Sequence, residues 1–274
     1  MAYPVIDSPY GLKPINLIGG QVFAGSTREY PMTNNYGTAI FYGDYVGLSR
    51  GEVVRLSVST GTAGNQTGIF LGCRYTNPLT KQLTFSQYYP ANTASGDMVA
   101  IVADDPDQVF KGVVCSATTA VASGARAMIG QNLAMINNTG STATGNSKNA
   151  ILAPSDTPAT TAALPVRVLG LVTDTAVTLG TVTYTSISTA TVTCSALPFA
   201  LPVGTDVGSL DSNGQYVSSG SFVDTAAAAG ATSFILNQAP VATLNTTIVL
   251  MQYPEILVKI NFGQHQYYAA TSIA

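Results

Sequence analysis

The sequence predicts an all-β protein with a β-barrel or β-sandwich body, an extended N-terminal arm and a small inserted all-β module. Three observations lead to this prediction. Short runs of alternating apolar and polar residues recur between turn-forming glycines and prolines. The 274 residues include 14 Tyr and 9 Phe, which a disordered chain would lack. Only 9% of the residues are charged, whereas a helical bundle is rich in Glu, Lys and Arg.

The charge balance excludes several classes of partner. Eleven Lys and Arg stand against fourteen Asp and Glu, which gives a net charge of −3. Nucleic-acid binding needs a dense basic surface, so we expect no nucleic-acid partner. No run approaches the roughly 20 apolar residues of a membrane span, so we expect no membrane partner. Three widely spaced cysteines, Cys73, Cys115 and Cys194, indicate small buried side chains and neither a disulfide framework nor a zinc site.

Residues 1–20 predict an extended arm. Pro4, Pro9 and Pro14 each remove a backbone donor, which excludes a helix and a central strand and also interrupts the apolar core of a signal peptide. Apolar side chains lie between the prolines, so the arm either covers a neighbouring molecule or folds back on its own domain. If it covers a neighbouring molecule, the candidate contact residues are Tyr3, Val5, Ile6, Tyr10, Leu12 and Ile15.

The body is predicted from residues 21–175 together with 252–274. Strand-like runs cover residues 38–48, 51–61, 68–78, 83–90, 97–107, 109–115, 166–174 and 255–262. Glycines at positions 43, 47, 51, 61, 64 and 68 are expected in tight turns that need a positive φ. A short helix is possible near residues 120–126.

The composition changes over residues 176–251. This stretch contains no Lys, Arg, Glu or His, and its only charged residues are Asp206, Asp211 and Asp224. It is rich in Thr and Ser, and Asn213-Gly214 is a strong hairpin signal. We interpret it as an all-β module inserted between two strands of the body, with one continuous domain as the alternative.

No motif supports an enzyme, and we expect neither a cofactor nor a catalytic residue. Residues 47–51, GLSRG, match the G-x-S-x-G hydrolase pattern, but both flanks resemble strands, which favours a hairpin. A hydrolase would need Ser49 with the only histidine, His265, as its base. That reaction is kept as an alternative.

Two further groups of residues have alternative interpretations. Asp104, Asp105 and Asp107 form DDPD, which suits a turn after a strand but also offers oxygens to a cation such as calcium. No other metal site is expected. Tyr88-Tyr89 and Tyr267-Tyr268 either pack across strands or stack on sugars or a protein partner.

Several phrases resemble a group of tailed-bacteriophage structural proteins, the capsid decoration or cement proteins. They are SPYGLKPI, GSTREY, IFYGDYVGLSRGEV, GIFLGCRYTNP, QYYPANT, VAIVADDPDQVFKGVV, LPVRVLGLV and EILVKINFGQHQY. The similarity covers residues 8–114 and 164–268 and leaves 176–251 outside it. It implies a β-barrel or β-sandwich fold seated on the outer face of the major capsid protein shell, where it reinforces the junctions between capsomers.

The resemblance also implies the partners and the location. We expect the major capsid protein and further copies of the chain, as a homotrimer or alternatively a dimer. The expected location is the capsid exterior, reached from the host cytoplasm during assembly. An alternative function is a tail, fibre or adsorption subunit with a glycan-binding β module.

Overall fold

The computed structural model describes residues 6–57, 66–153 and 164–268, and these residues form an all-β fold, as the sequence predicts. The helical turns in these ranges are two 3-10 turns, Arg126–Met128 and Thr173–Thr175. The strands, in chain order, are β1 Lys13–Leu17, β2 Arg28–Pro31, β3 Tyr45–Ser49, β4 Glu52–Arg55, β5 Gly68–Thr76, β6 Leu83–Ser86, β7 Val99–Ala103, β8 Gln108–Ala117, β9 Ala120–Val121, β10 Asn132–Leu133, β11 Met135–Ile136, β12 Ala150–Leu152, β13 Val166–Leu171, β14 Val177–Ser188, β15 Thr191–Cys194, β16 Asp206–Leu210, β17 Tyr216–Phe222, β18 Ser233–Ile235, β19 Thr247–Gln252 and β20 Glu255–Ile260.

The first sheet is barrel-like. Its strands follow the order β2-β7-β5-β3-β4, with β6 paired to β5. A bridge between Met32, just after β2, and Val53 of β4 joins the two ends of this order. The interior holds a buried cluster that includes Val46, Phe70 and Val102.

The second sheet lies against the outside of the first. Its order is β10-β13-β20-β8-β12-β11, and β1 and β9 also pair with β8. Its core includes Phe110, Ile256 and Val258, and it also receives Tyr45 and Ile69 from the first sheet. Neighbouring residues of β3 and β5 therefore enter different cores, so both faces of these strands are buried.

The third sheet is formed entirely between Val177 and Gln252, in the order β17-β16-β19-β14-β15-β18. A bridge between Val223 and Leu236 joins the ends of this order. The core of this sheet, which includes Val192, Val207 and Leu250, is drawn from the same stretch of chain. Phe222, however, packs into the core of the second sheet. Whether residues 176–251 fold as a separate module stays a prediction, with a deletion test given below.

No helix within the described ranges has both the length and the hydropathy required to span a bilayer.

Candidate functional site

The N-terminal segment folds back on its own chain from residue 6 onwards. Strand β1 pairs antiparallel with β8, with Lys13 opposite Lys111 and Leu17 opposite Gln108. Before the strand, the amide of Leu12 donates to the carbonyl of Gly43 over 3.1 Å. Because β1 is an edge strand, Pro14 is tolerated within it. Residues 6–17 of the predicted arm therefore fold back on their own chain, which is one of the two alternatives that the sequence left open.

Close backbone contact fixes the segment in place. Gly11 has a φ of +80°, and a Cβ at this position would lie 2.5 Å from the carbonyl oxygen of Gly43. The hydroxyl of Tyr10 donates to the buried carboxylate of Glu255, and Lys111 Nζ lies 3.2 Å from the same carboxylate. Burial, followed by the hydrogen bond to Glu255, raises the pKa of Tyr10 above its usual range.

The predicted contact residues of the arm differ in what they can touch. Ile6 and Tyr10 are half-buried against a cluster around Val113. Leu12 is fully buried in the core of the second sheet, so its side chain is not a surface contact, because it fills the chain's own interior. Ile15 is 38% exposed. The remaining two candidates, Tyr3 and Val5, lie outside the described residues.

An exposed apolar hairpin follows the buried part of the segment. The amide of Leu17 donates to the carbonyl of Gln21 over 2.8 Å, and Asn16 bridges to Val22. Ile18 is 50% exposed and Val22 is 78% exposed. We call residues 15–22 the apolar hairpin. Exposed apolar residues that cluster in this way mark interaction surfaces more often than isolated ones do.

The DDPD segment, residues 104–107, forms the turn between β7 and β8. Asp105 Oδ1 accepts a hydrogen bond from the amide of Asp107 over 2.8 Å, and the amide of Gln108 donates to the carbonyl of Asp105. Asp107 Oδ1 lies 3.4 Å from Lys259 Nζ. Among the residues that the structure describes, no group of three or more His, Cys, Asp or Glu side chains could hold a metal ion. The hydrogen bonds agree with the turn interpretation, and cation binding by these residues stays a prediction.

Asp104 is the centre of a polar network that the sequence did not reveal. Its Oδ2 accepts hydrogen bonds from the hydroxyls of Tyr30, at 2.6 Å, and Tyr267, at 2.7 Å. The same oxygen lies 3.2 Å from Arg28 Nε. Burial is the first cause that raises the pKa of both tyrosines, and the bond to Asp104 adds to it. These contacts fix the orientation of Arg28 and Tyr267 at the surface.

Exposed aromatic rings lie beside this network. Phe262 and Tyr268 stack with their ring centroids 5.1 Å apart, and they are 67% and 43% exposed. Tyr267 is 42% exposed, and the guanidinium of Arg28 lies 5.4 Å from its ring centroid. We call Arg28, Tyr30, Phe262, Tyr267 and Tyr268 the aromatic cluster.

The other tyrosine pair serves packing. Tyr89 is fully buried in the core of the first sheet. Tyr88 stacks on Phe41 with ring centroids 5.6 Å apart and an interplanar angle of 9°. For Tyr88-Tyr89 the packing interpretation therefore accounts for both rings.

The hydrolase pattern is part of a hairpin, as the flanking sequence predicts. Ser49 of β3 is opposite Glu52 of β4, and the two turn residues, Arg50 and Gly51, have φ values of 52° and 83°. His265 is only 1% exposed, and its Nδ1 accepts a hydrogen bond from the amide of Tyr267. Burial lowers the pKa of His265. No hydrogen bond connects Ser49 to His265 within the described part of the chain.

The three cysteines are free and buried, which confirms the sequence-based interpretation. Burial raises the pKa of the Cys73 and Cys115 thiols to about 12. The reactive form of cysteine is the thiolate, so these side chains contribute packing and not nucleophilic chemistry at neutral pH.

No protein-family model matches this chain, and no curated protein shows significant similarity to it.

Proposed function

We propose that this chain is a virion structural protein of a tailed bacteriophage, a decoration or cement protein. It binds the outer face of the major capsid protein shell and stabilises the shell by bridging capsomers. The proposal rests on the resemblance in sequence and on the way in which the resembling segments are arranged in space.

The observation that carries the proposal is that these segments are neighbours in the fold. VAIVADDPDQVFKGVV covers β7 and most of β8, whereas SPYGLKPI contributes Leu12 and the start of β1. LPVRVLGLV forms β13, and EILVKINF forms β20. Strands β1 and β20 both pair with β8, and β13 pairs with β20. Strands β1, β8, β13 and β20, which come from resembling segments far apart in sequence, thus share one sheet.

A low surface charge supports the same function. Copies of a decoration protein lie side by side on a shell, and a high net charge would make neighbouring copies repel one another. Symmetric repetition also makes modest contacts effective, because each later contact becomes intramolecular. We therefore propose that the chain binds as a homotrimer, with a dimer as the alternative.

The location and copy number of the chain in purified particles test the proposal. Quantitative mass spectrometry of the virion should give hundreds of copies, and electron microscopy should locate them on the outside of the shell. Adding the purified chain to stripped shells should raise the temperature at which the shells break. Between six and a few tens of copies, all on the tail, would contradict the shell assignment.

The second candidate is a tail or adsorption subunit that binds glycans, and the aromatic cluster favours it. The ring of Tyr267 is positioned by the hydrogen bond to Asp104, and the exposed rings of Phe262 and Tyr268 beside it offer flat apolar faces next to hydrogen-bonding groups. This candidate predicts that the purified chain binds host cells or their surface glycans. It also predicts that Phe262→Ala with Tyr268→Ala abolishes the binding, while Leu79→Ala, at a residue that is 90% exposed elsewhere, leaves it intact.

A further inference from the structure

One face of the second sheet collects four of the eleven basic residues. Lys13 of β1 is directly opposite Lys111 of β8, and Arg167 of β13 is directly opposite Lys259 of β20. Leu257 of β20, two residues before Lys259, is also opposite Lys111. Directly opposed residues of antiparallel strands point to the same side of a sheet. These five side chains therefore share one face, which we call the basic face.

The arrangement is electrostatically unfavourable in the isolated chain, because like charges directly opposite each other destabilise a sheet. Among the residues that the structure describes, each pair makes one ion pair with a carboxylate. Glu255 lies 3.2 Å from Lys111, and Asp107 lies 3.4 Å from Lys259.

The other cation of each pair has a neutral partner. Lys13 Nζ lies 4.2 Å from the centroid of the Tyr10 ring, and Arg167 Nε donates to Asn132 Oδ1 over 3.1 Å. Within the described ranges, neither cation has a carboxylate at ion-pair distance. Lys13 and Arg167 are therefore available to carboxylates from outside the chain.

A partly apolar groove adjoins Lys111 and Leu257 of the basic face. A groove of about 350 Å³ is lined by Ile15, Lys111, Leu171, Val172, Thr173, Asp174 and Leu257. Ile15 also begins the apolar hairpin, so exposed apolar side chains continue from the groove towards Val22. A basic face that continues into a partly apolar groove matches a protein segment that carries both carboxylates and apolar side chains. Four cations with Asp107 and Asp174 among them are too sparse for a nucleic-acid backbone.

We infer that the basic face, together with the apolar hairpin, is the surface that docks on the capsid shell, and that its partner is a carboxylate-bearing, partly apolar segment exposed on the shell protein. This inference rests on the proposed function. We favour the shell protein over a second copy of the chain because a two-fold symmetric contact would place one basic face against another, and like charges repel.

Charge reversal on stripped shells tests the inference. The test variant is Lys13→Glu with Arg167→Glu, and the conservative variant is Lys13→Arg with Arg167→Lys. The matched control is Arg50→Glu with Lys81→Glu, which makes the same change in net charge at two exposed residues in turns of the first sheet. Circular dichroism and the melting temperature establish that all variants fold, and light scattering without shells gives their oligomeric state.

We expect charge reversal on the basic face to weaken binding to shells roughly tenfold per residue, hence about a hundredfold for the pair. The conservative variant should bind more tightly than the reversed variant, because it keeps both positive charges. The matched control should bind within about twofold of the wild type, because exposed charges away from the contact are screened by salt. Wild-type binding should also weaken as the salt concentration rises, whereas the remaining binding of the reversed variant should respond less.

Three results would overturn the inference, and they can be told apart. If the wild type decorates shells and the reversed variant binds equally well, the docking surface is wrong while the proposed function stands. If the wild type does not bind shells, both fail together. If the reversal changes the oligomeric state without shells while shell binding per subunit is kept, the basic face contacts a second copy of the chain instead.

Discussion

Leu12 should be the residue that fastens the N-terminal segment, and Leu12→Ala is the sharpest test of how the fold is held together. The side chain is fully buried in the core of the second sheet. A Cβ at Gly112 would lie only 2.6 Å from Leu12 Cδ2, so the leucine rests directly on the backbone of β8. A backbone wall collapses less readily into a vacated space than flexible side chains do.

The magnitude follows from this geometry. Burial-related losses for Leu→Ala range from about 2 to 5 kcal/mol and increase with the cavity that remains. Because one wall is the backbone at Gly112, we expect a loss of about 3–5 kcal/mol in the free energy of unfolding. Ile15→Ala is the matched control, since Ile15 lies on the same segment but is 38% exposed. Its loss should stay below about 1.5 kcal/mol.

Urea denaturation followed by circular dichroism measures both values, and tyrosine fluorescence provides a second signal because the chain has no tryptophan. Hydrogen exchange should also show faster exchange at the amides of β1 in Leu12→Ala than in Ile15→Ala. Equal, small losses for the two variants would refute the reasoning, because the segment would then contribute little to the core.

The remaining predictions concern the third sheet. Burial raises the pKa of Asp206 from 3.8 to about 6, so the folded chain holds this proton more tightly than the unfolded chain does. The resulting stabilisation, about 3 kcal/mol, is fully present below pH 3.8 and is lost as the pH rises through about 6. The free energy of unfolding, measured by urea titration at several pH values in this window, should therefore fall with pH more steeply for the wild type than for Asp206→Asn. Parallel pH dependences would contradict the burial argument. Gly204→Ala should lower the melting temperature more than Gly214→Ala. Both glycines have a positive φ, but only at Gly204 would a Cβ meet another atom closely, 1.8 Å from the carbonyl oxygen of Ser123. Replacing residues 176–251 by a short linker should leave a folded body of reduced stability, because the deletion removes Phe222 from the core of the second sheet. Aggregation of the shortened chain would instead show that residues 176–251 belong to the core of the body.

Local sequence was sufficient to predict the turns. Asn213-Gly214 lies in the loop between β16 and β17, where Asp211 Oδ1 accepts hydrogen bonds from the amides of Asn213 and Gln215. The hairpin at Arg50-Gly51 was likewise predicted from its neighbours. Both depend on residues within a few positions of one another, so the sequence pattern contains the necessary information.

Two glycines predicted in turns lie in strands, and for Gly68 the reason is a contact with a distant part of the chain. Gly43 and Gly51 do have a positive φ, as expected. Gly47 and Gly68, however, lie within strands β3 and β5 and not in turns. A Cβ at Gly68 would lie 2.1 Å from the carbonyl oxygen of Ala103. The requirement comes from a strand that is close only in the folded chain. Gly61 and Gly64 are outside the described residues.

Residues 120–126, for which the sequence suggested a short helix, adopt a different structure. Ala120–Val121 form strand β9, and the helical geometry is limited to a 3-10 turn at Arg126–Met128. Small residues such as those around Ala122 suit several backbone conformations, and here pairing with β8 decides between them. Tertiary pairing thus overrides a weak local preference.

The network around Asp104 was not predictable from spacing. Its partners Tyr30 and Tyr267 lie 74 and 163 residues away in the chain. The sequence showed a carboxylate after a strand, for which a turn is a sufficient explanation. The basic face is similar, because the opposition of Lys13 to Lys111 depends on the register of β1 against β8.

The bridges at Met32–Val53 and Val223–Leu236 have a consequence for the behaviour of concentrated solutions. Each one occupies backbone groups at which a strand of another molecule would otherwise add, and such additions are how fibrils start. The backbone edges that stay open belong to strands with a single neighbour, such as β1 and β6. An extended segment of another molecule would therefore pair with those strands before it could enter the first or third sheet at its bridged ends.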